Sequence, residues 1–214
     1  TPLGRSGIGV IRLSGPDALA YTMKLSSGHI LKPRKAHLAQ LHDPETGETI
    51  DEALITYIKA THSFTGEDVL EISCHGSPVL LRQVIDFCLA MGARMADPGE
   101  FTLRALAHGR LNLAEAEAIR DLIDAQTTAL ARQAIRQLRG EFSNALKPVK
   151  DELLDLIVVL ESALEFVEDD LPEVQAAAVH ARLKKLAAAI DKIAETFQSG
   201  RLIREGLRVA LVGR

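Results

Sequence analysis

The run Asp68-Val69-Leu70-Glu71-Ile72-Ser73, closed by His75-Gly76-Ser77-Pro78, decides the class of the first half of the chain. Apolar and β-branched residues bounded by turn formers predict a strand. Pro at the first turn of the apolar stretch that follows predicts a helix from Pro78 through about Met91, stopped by Gly92. Outward from there, Ile8 to Leu13, ending at Ser14-Gly15-Pro16, and Glu52 to Ile58 read as further strands, and Asp17 through about Ser26 reads as a helix. Elements interleaved in this way predict an α+β domain in which a mixed sheet carries helices.

Near residue 105 the pattern changes. From Asn112 to about Gln198 the chain turns to Ala, Leu, Glu, Arg and Gln, with Leu113, Ala116, Ile119, Leu122, Ile123 and Ala125 at spacings of three and four. That is the period of amphipathic helices, and it predicts an all-α domain. Gly140 and Lys147-Pro148 are candidate interruptions, Glu168 to Pro172 is the clearest break, and a final helix is expected from Pro172 to Gly200. The expected organisation is an α+β domain over 1–107, a helical domain over 108–205 and the first strand of a further domain over 206–214.

Composition bounds the function. With 47% hydrophobic and 25% charged residues the 214-residue chain is of the globular class. Lys plus Arg at 25 against Asp plus Glu at 29 leave a net charge of -4, which excludes a global basic field; any nucleic-acid contact must be local or borrowed from a partner. Cys74 and Cys88 form neither a disulfide framework nor a zinc pattern, and a reducing cytoplasm fits them best. No apolar run approaches the roughly 20 residues that span a bilayer, so no membrane partner is expected. A start at Thr1-Pro2 without Met suggests that residues are missing there.

The closing segment Gly206-Leu207-Arg208-Val209-Ala210-Leu211-Val212-Gly213-Arg214 has two readings. It is an ordinary buried strand, or it delivers the backbone to a phosphate-binding loop whose first glycine is Gly213. Gly4, Gly7 and Gly9 around Arg5 likewise suit either an anion site or a bent edge strand. Alternation turns Arg12 away from Ile11 and Leu13, and Glu71 away from Leu70 and Ile72. Arg12 is therefore either a solvated strand position or a guanidinium fork for a carboxylate or a ligand edge, and Glu71 either a solvated acid on an exposed strand face or a functional one. The neighbours Cys74 and His75 point to opposite faces of a strand, so they are read as structural and not as a catalytic dyad. The other histidines show no metal-ligand spacing. The arginines Arg132, Arg136 and Arg139 make a basic helical stripe, read first as solvated surface with Glu partners and second as a nucleic-acid or partner contact.

Three further segments stand in order before the closing strand: Thr1-Pro2-Leu3-Gly4-Arg5-Ser6-Gly7-Ile8-Gly9-Val10-Ile11-Arg12-Leu13-Ser14-Gly15-Pro16; Ser63-Phe64-Thr65-Gly66-Glu67-Asp68-Val69-Leu70-Glu71 with His75-Gly76; and Pro98-Gly99-Glu100-Phe101-Thr102-Leu103-Arg104-Ala105, continued by Gly109-Arg110-Leu111-Asn112-Leu113-Ala114-Glu115-Ala116-Glu117-Ala118. Together they resemble the signature segments of the MnmE/TrmE family of tRNA-modifying GTPases. The likeness runs over essentially the whole chain. It departs at Arg110, where the family commonly has Lys, at Asn112, where Asp is usual, and at Ser6 and Ser77, which stand for Gly.

The resemblance implies a fold and a function. The first domain would be an aminomethyltransferase-like folate-binding and dimerisation domain, and the helical domain would carry a GTPase domain as an insertion. With the flavoprotein partner MnmG (GidA), which holds FAD, such proteins add a (carboxymethyl)aminomethyl group to C5 of the wobble uridine (U34) of certain tRNAs. A 5-formyl- or 5,10-methylene-tetrahydrofolate supplies the one-carbon unit. GTP hydrolysis with Mg2+ and K+ drives the cycle, from catalytic residues beyond this chain. Folate binding falls to Arg12, Glu71 and Arg110. Two rival readings remain: a non-catalytic folate-binding dimerisation module, and a signalling or assembly GTPase whose first domain binds proteins.

Overall fold

A computed structural model of the chain describes residues 4–26, 28, 31–165, 173–196, 200, 210, 212 and 213. The chain divides into two compact units, Thr1–Asn112 and Leu113–Arg214.

In the first unit the strands β1 (Ser6–Ser14), β2 (Ala36–His42), β3 (Thr49–Ile58) and β4 (Val69–Gly76) form one sheet in the order β1-β4-β3-β2. Every pairing among them is antiparallel, a narrower outcome than a mixed sheet. Chain direction follows from the connections. A tight turn joins β2 to β3, where the Asp43 carboxylate accepts from the Glu45 and Thr46 amides, and such short links reverse the strand. The helices α1 (Ala18–Leu25) and α2 (Pro78–Ala90) follow β1 and β4.

Period-two alternation supplies the core. Ile11, Leu41, Ile55, Leu70, Ile72 and Cys74 point to one face, where they cluster with Ala18 and Leu25 of α1 and Val84 and Cys88 of α2. Each fully buried Leu, Ile or Val contributes about 1.5–3 kcal/mol relative to exposure. The opposite face presents Arg12, Glu71 and His75 together with the exposed apolar residues Ile8, Val10, Leu38 and Leu54. Helix α3 (Glu100–Ala107) closes the unit. Neither β2 nor α3 is among the elements expected from the sequence.

The second unit contains α4 (Leu113–Ile123), α5 (Thr128–Leu138), α6 (Glu141–Glu165) and α7 (Glu173–Ala194), in keeping with the all-α expectation. Thr127 caps α5, its hydroxyl accepting from the Leu130 amide at 3.2 Å. Gly140, at φ 78°, ends α5 as expected of a glycine in the left-handed region. Lys147-Pro148 does not interrupt: α6 runs straight through Pro148. A proline forfeits one backbone bond there, and the other turns of a 25-residue helix outweigh it. The expected break at Glu168 to Pro172 lies outside the described residues, as does most of the closing strand, at 206–209, 211 and 214.

Candidate functional site

Strand β1 is an edge of the sheet, paired on one side with β4 and open on the other. Register sets Arg12 directly across from Glu71. Both leave the core on the same face, and the Arg12 Nε donates to Glu71 Oε1 at 2.9 Å. The guanidinium also stands over the Phe101 ring, 5.8 Å from its centroid, within cation-π range. The two side chains keep 45% and 31% of their exposure, so solvent and ligands can reach the pair.

Beside the open edge of β1 lies a cavity of about 440 Å³. Its walls are Arg12 and Leu13 of β1, Tyr21 of α1, Cys88 of α2, Met95 of the connection, and Phe101 of α3. Burial in this apolar wall pushes the Cys88 thiol up to about 11, so it takes no part as a thiolate near neutral pH. Gly99, at φ 81°, makes the sharp entry into α3 that sends Phe101 to the cavity.

An ionic network braces this wall. Glu100 accepts from Arg94, from Arg104 Nη2 at 2.8 Å and from the Asp97 amide at 2.8 Å. Arg104 reaches on to Glu67 at 2.8 Å, and Glu67 accepts from Ser14 at 2.8 Å. Hydrogen bonding from Arg94, reinforced by the Asp97 amide and Arg104, holds the Glu100 carboxyl down to about 2. Burial pushes the Glu67 carboxyl up, but the bonds from Arg104 and Ser14 outweigh it and the net shift is downward. Ser14, Glu67, Glu100 and Arg104 all fall inside the quoted signature segments, yet no local pattern singles them out, because their partners are distant in sequence.

The three residues expected to bind folate are not all placed alike. Arg12 and Glu71 are brought together, and Arg12 lines the cavity. Arg110 does not line it; its Nε donates to the Ser63 carbonyl at 3.1 Å, closing the loop through Thr65-Gly66. A Cβ added at Gly66 (φ 82°) would stand 2.8 Å from the His108 Cβ, so glycine is required for this approach. Gly213 is described and exposed, while Leu211 and Arg214 lie outside the described residues. Cys74 is buried while His75 is exposed and bonds Asp51 at 2.7 Å, so no Cys-His dyad forms. Among the described residues no group of His, Cys, Asp and Glu could hold a metal ion. No helix among them is long and apolar enough to cross a membrane.

Residues 1–110 match the family described as GTP-binding protein TrmE N-terminus, and residues 113–208 match the MnmE helical domain. The chain belongs to the MnmE/TrmE family. Relatives named tRNA modification GTPase MnmE include those of Koribacter versatilis (strain Ellin345), 47% identical, and Aquifex aeolicus (strain VF5), 40% identical. Each match takes in 100% of this chain and 48% of the relative. That of Dechloromonas aromatica (strain RCB) is 44% identical, over 100% of this chain and 47% of the relative. This MnmE family chain thus spans about half the length of the curated relatives it matches.

Proposed function

We propose that this chain is part of a tRNA modification GTPase and that its first unit binds a reduced folate beside β1. One observation carries the reading: Arg12, paired across strands with Glu71 and set over Phe101, lines a cavity of about 440 Å³. That volume lies within the range of small-molecule sites, roughly 300–1,000 Å³. Its chemistry suits a pterin, since Phe101 and Tyr21 offer aromatic surface to a flat heterocycle and the guanidinium offers a planar fork of donors.

Glu71 is the acceptor for the paired N–H groups of an amino-pyrimidine edge, and the hydrogen bond from Arg12 orients that carboxylate. Arg110 supplies positive charge for the glutamate tail from the Ser63 loop. The bound folate, as the 5-formyl or 5,10-methylene form, supplies the one-carbon unit. The first unit forms a homodimer, a reading supported by the exposed apolar residues Val10, Leu38 and Leu54 on its outer sheet face. With the flavoprotein MnmG and its FAD, the assembly adds a (carboxymethyl)aminomethyl group to C5 of U34 in the cytoplasm. GTP hydrolysis, with Mg2+ and K+, is assigned to the half of the relatives' length that this chain does not span.

Calorimetry with 5-formyl-tetrahydrofolate tests the site. Saturable heat is expected, with affinity reduced at least about tenfold by Arg12→Ala and by Glu71→Ala, the loss of one charge-assisted bond being worth about 1.5–3 kcal/mol. Both residues are partly exposed, so breaking the pair costs the fold only about 0.2–1 kcal/mol. Undiminished binding in both variants refutes the assignment. A first unit that binds only proteins gives no heat at all.

A further inference from the structure

We propose that the outward face of α5 contacts the phosphate backbone of tRNA. Helix α5 contains no acidic residue. Arg132 and Arg136 on it, and Arg139 at its C-cap, recur at spacings of four and three. At about 100° per residue they fall within an arc of about 60°, and at 1.5 Å per residue they span about 10 Å of axis. The opposite side of the helix is occupied: Ala134 is buried, and Gln137 donates to the Ala114 carbonyl of α4 at 3.4 Å. The arginines therefore project outward, and all three are exposed.

Their charge is available. Arg132 and Arg139 make no ion pair among the described residues, and Arg136 bonds Glu141 at 2.7 Å in a pair whose side chains are 71% and 50% exposed. Such a pair is weak and screened by salt, so a phosphate can replace the carboxylate. In a chain of net charge -4 this is a local basic face of the sort that a polyanion needs. A protein partner fits it less well: buried interface cores want aromatic or apolar anchors, and the large apolar residue exposed on α5 is Ile135 alone among those described. Guanidinium forks match phosphate oxygens in pairs, and tRNA is the polyanion that the proposed function already requires, so the inference rests on that reading.

The test uses the full-length protein, a fluorescently labelled tRNA and anisotropy titrations from about 50 to 200 mM salt. Replacing the three arginines together (R132Q, R136Q, R139Q) is expected to weaken binding at least about tenfold at the lowest salt. It should also flatten the slope of log K against log salt by about 2–3, because each phosphate contact contributes roughly 0.7–0.9. The triple Lys variant should recover most of the slope, and Arg82→Gln on α2 should leave it unchanged, with helical circular dichroism and folate heat unaltered in every variant. A Gln triple variant that binds tRNA like the parent overturns the proposal while leaving the folate reading standing. Loss of an acidic protein partner with tRNA binding intact overturns it too, and a parent that binds no tRNA overturns both the proposal and the tRNA reading.

Discussion

Glu100 shows how a single carboxylate ties the cavity wall together, since it receives Arg94, Arg104 and the Asp97 amide at once. Its pKa is lowered from 4.5 to about 2, so its stabilising contribution is fully present above about 4.5 and is lost as pH falls through about 2. Glu100→Gln should therefore lower the thermal midpoint above pH 4.5, and the gap from the parent should close toward pH 2; a gap independent of pH would remove the charge from the account. The alternation around Arg12 and Glu71 was legible as two charged residues leaving a core face. Their pairing was not, because it needs the antiparallel register that sets them opposite each other. Glu67 and Arg104, 37 residues apart, illustrate the same limit: side-chain type is local, but the partner is chosen by the fold.

Among the elements, β2 and α6 mark where local preference yields. Ala36-His37-Leu38-Ala39-Gln40-Leu41-His42 contains no β-branched residue, and it is a strand because β3 pairs with it along its length. In α6, Pro148 sits eight positions into the helix and leaves the helix unbroken. Pro148→Ala should restore the lost backbone bond and raise stability by no more than about 3 kcal/mol, read from urea midpoints at constant slope. Thr127→Ala, which removes the cap of α5, should cost about 1 kcal/mol in the same assay. The Thr127 cap was visible as a residue type, yet the break between α4 and α5 went unanticipated because the apolar period continues into it through Ala125.

For the molecule as a whole, the outer face of the sheet carries the clearest test of assembly. Register aligns Val10, Ser73, Leu54 and Leu38 in one row across all four strands, and Leu38 and Leu54 are 60% and 48% exposed. The proposed homodimer predicts that Leu38→Glu gives a monomer in sedimentation velocity while leaving circular dichroism unchanged, since the substitution lies on the side away from the core. A dimer that persists would move the subunit contact elsewhere. By itself the amino-acid sequence determined the α+β unit, the helical unit after it and the family, because alternation, helical period and ordered glycine-rich segments are all short-range patterns. Tertiary structure decided the strand order, the Arg12–Glu71 pair, the braced cavity beside β1 and the placing of Arg110 on the Ser63 loop, because each depends on which distant segments the buried apolar face draws together.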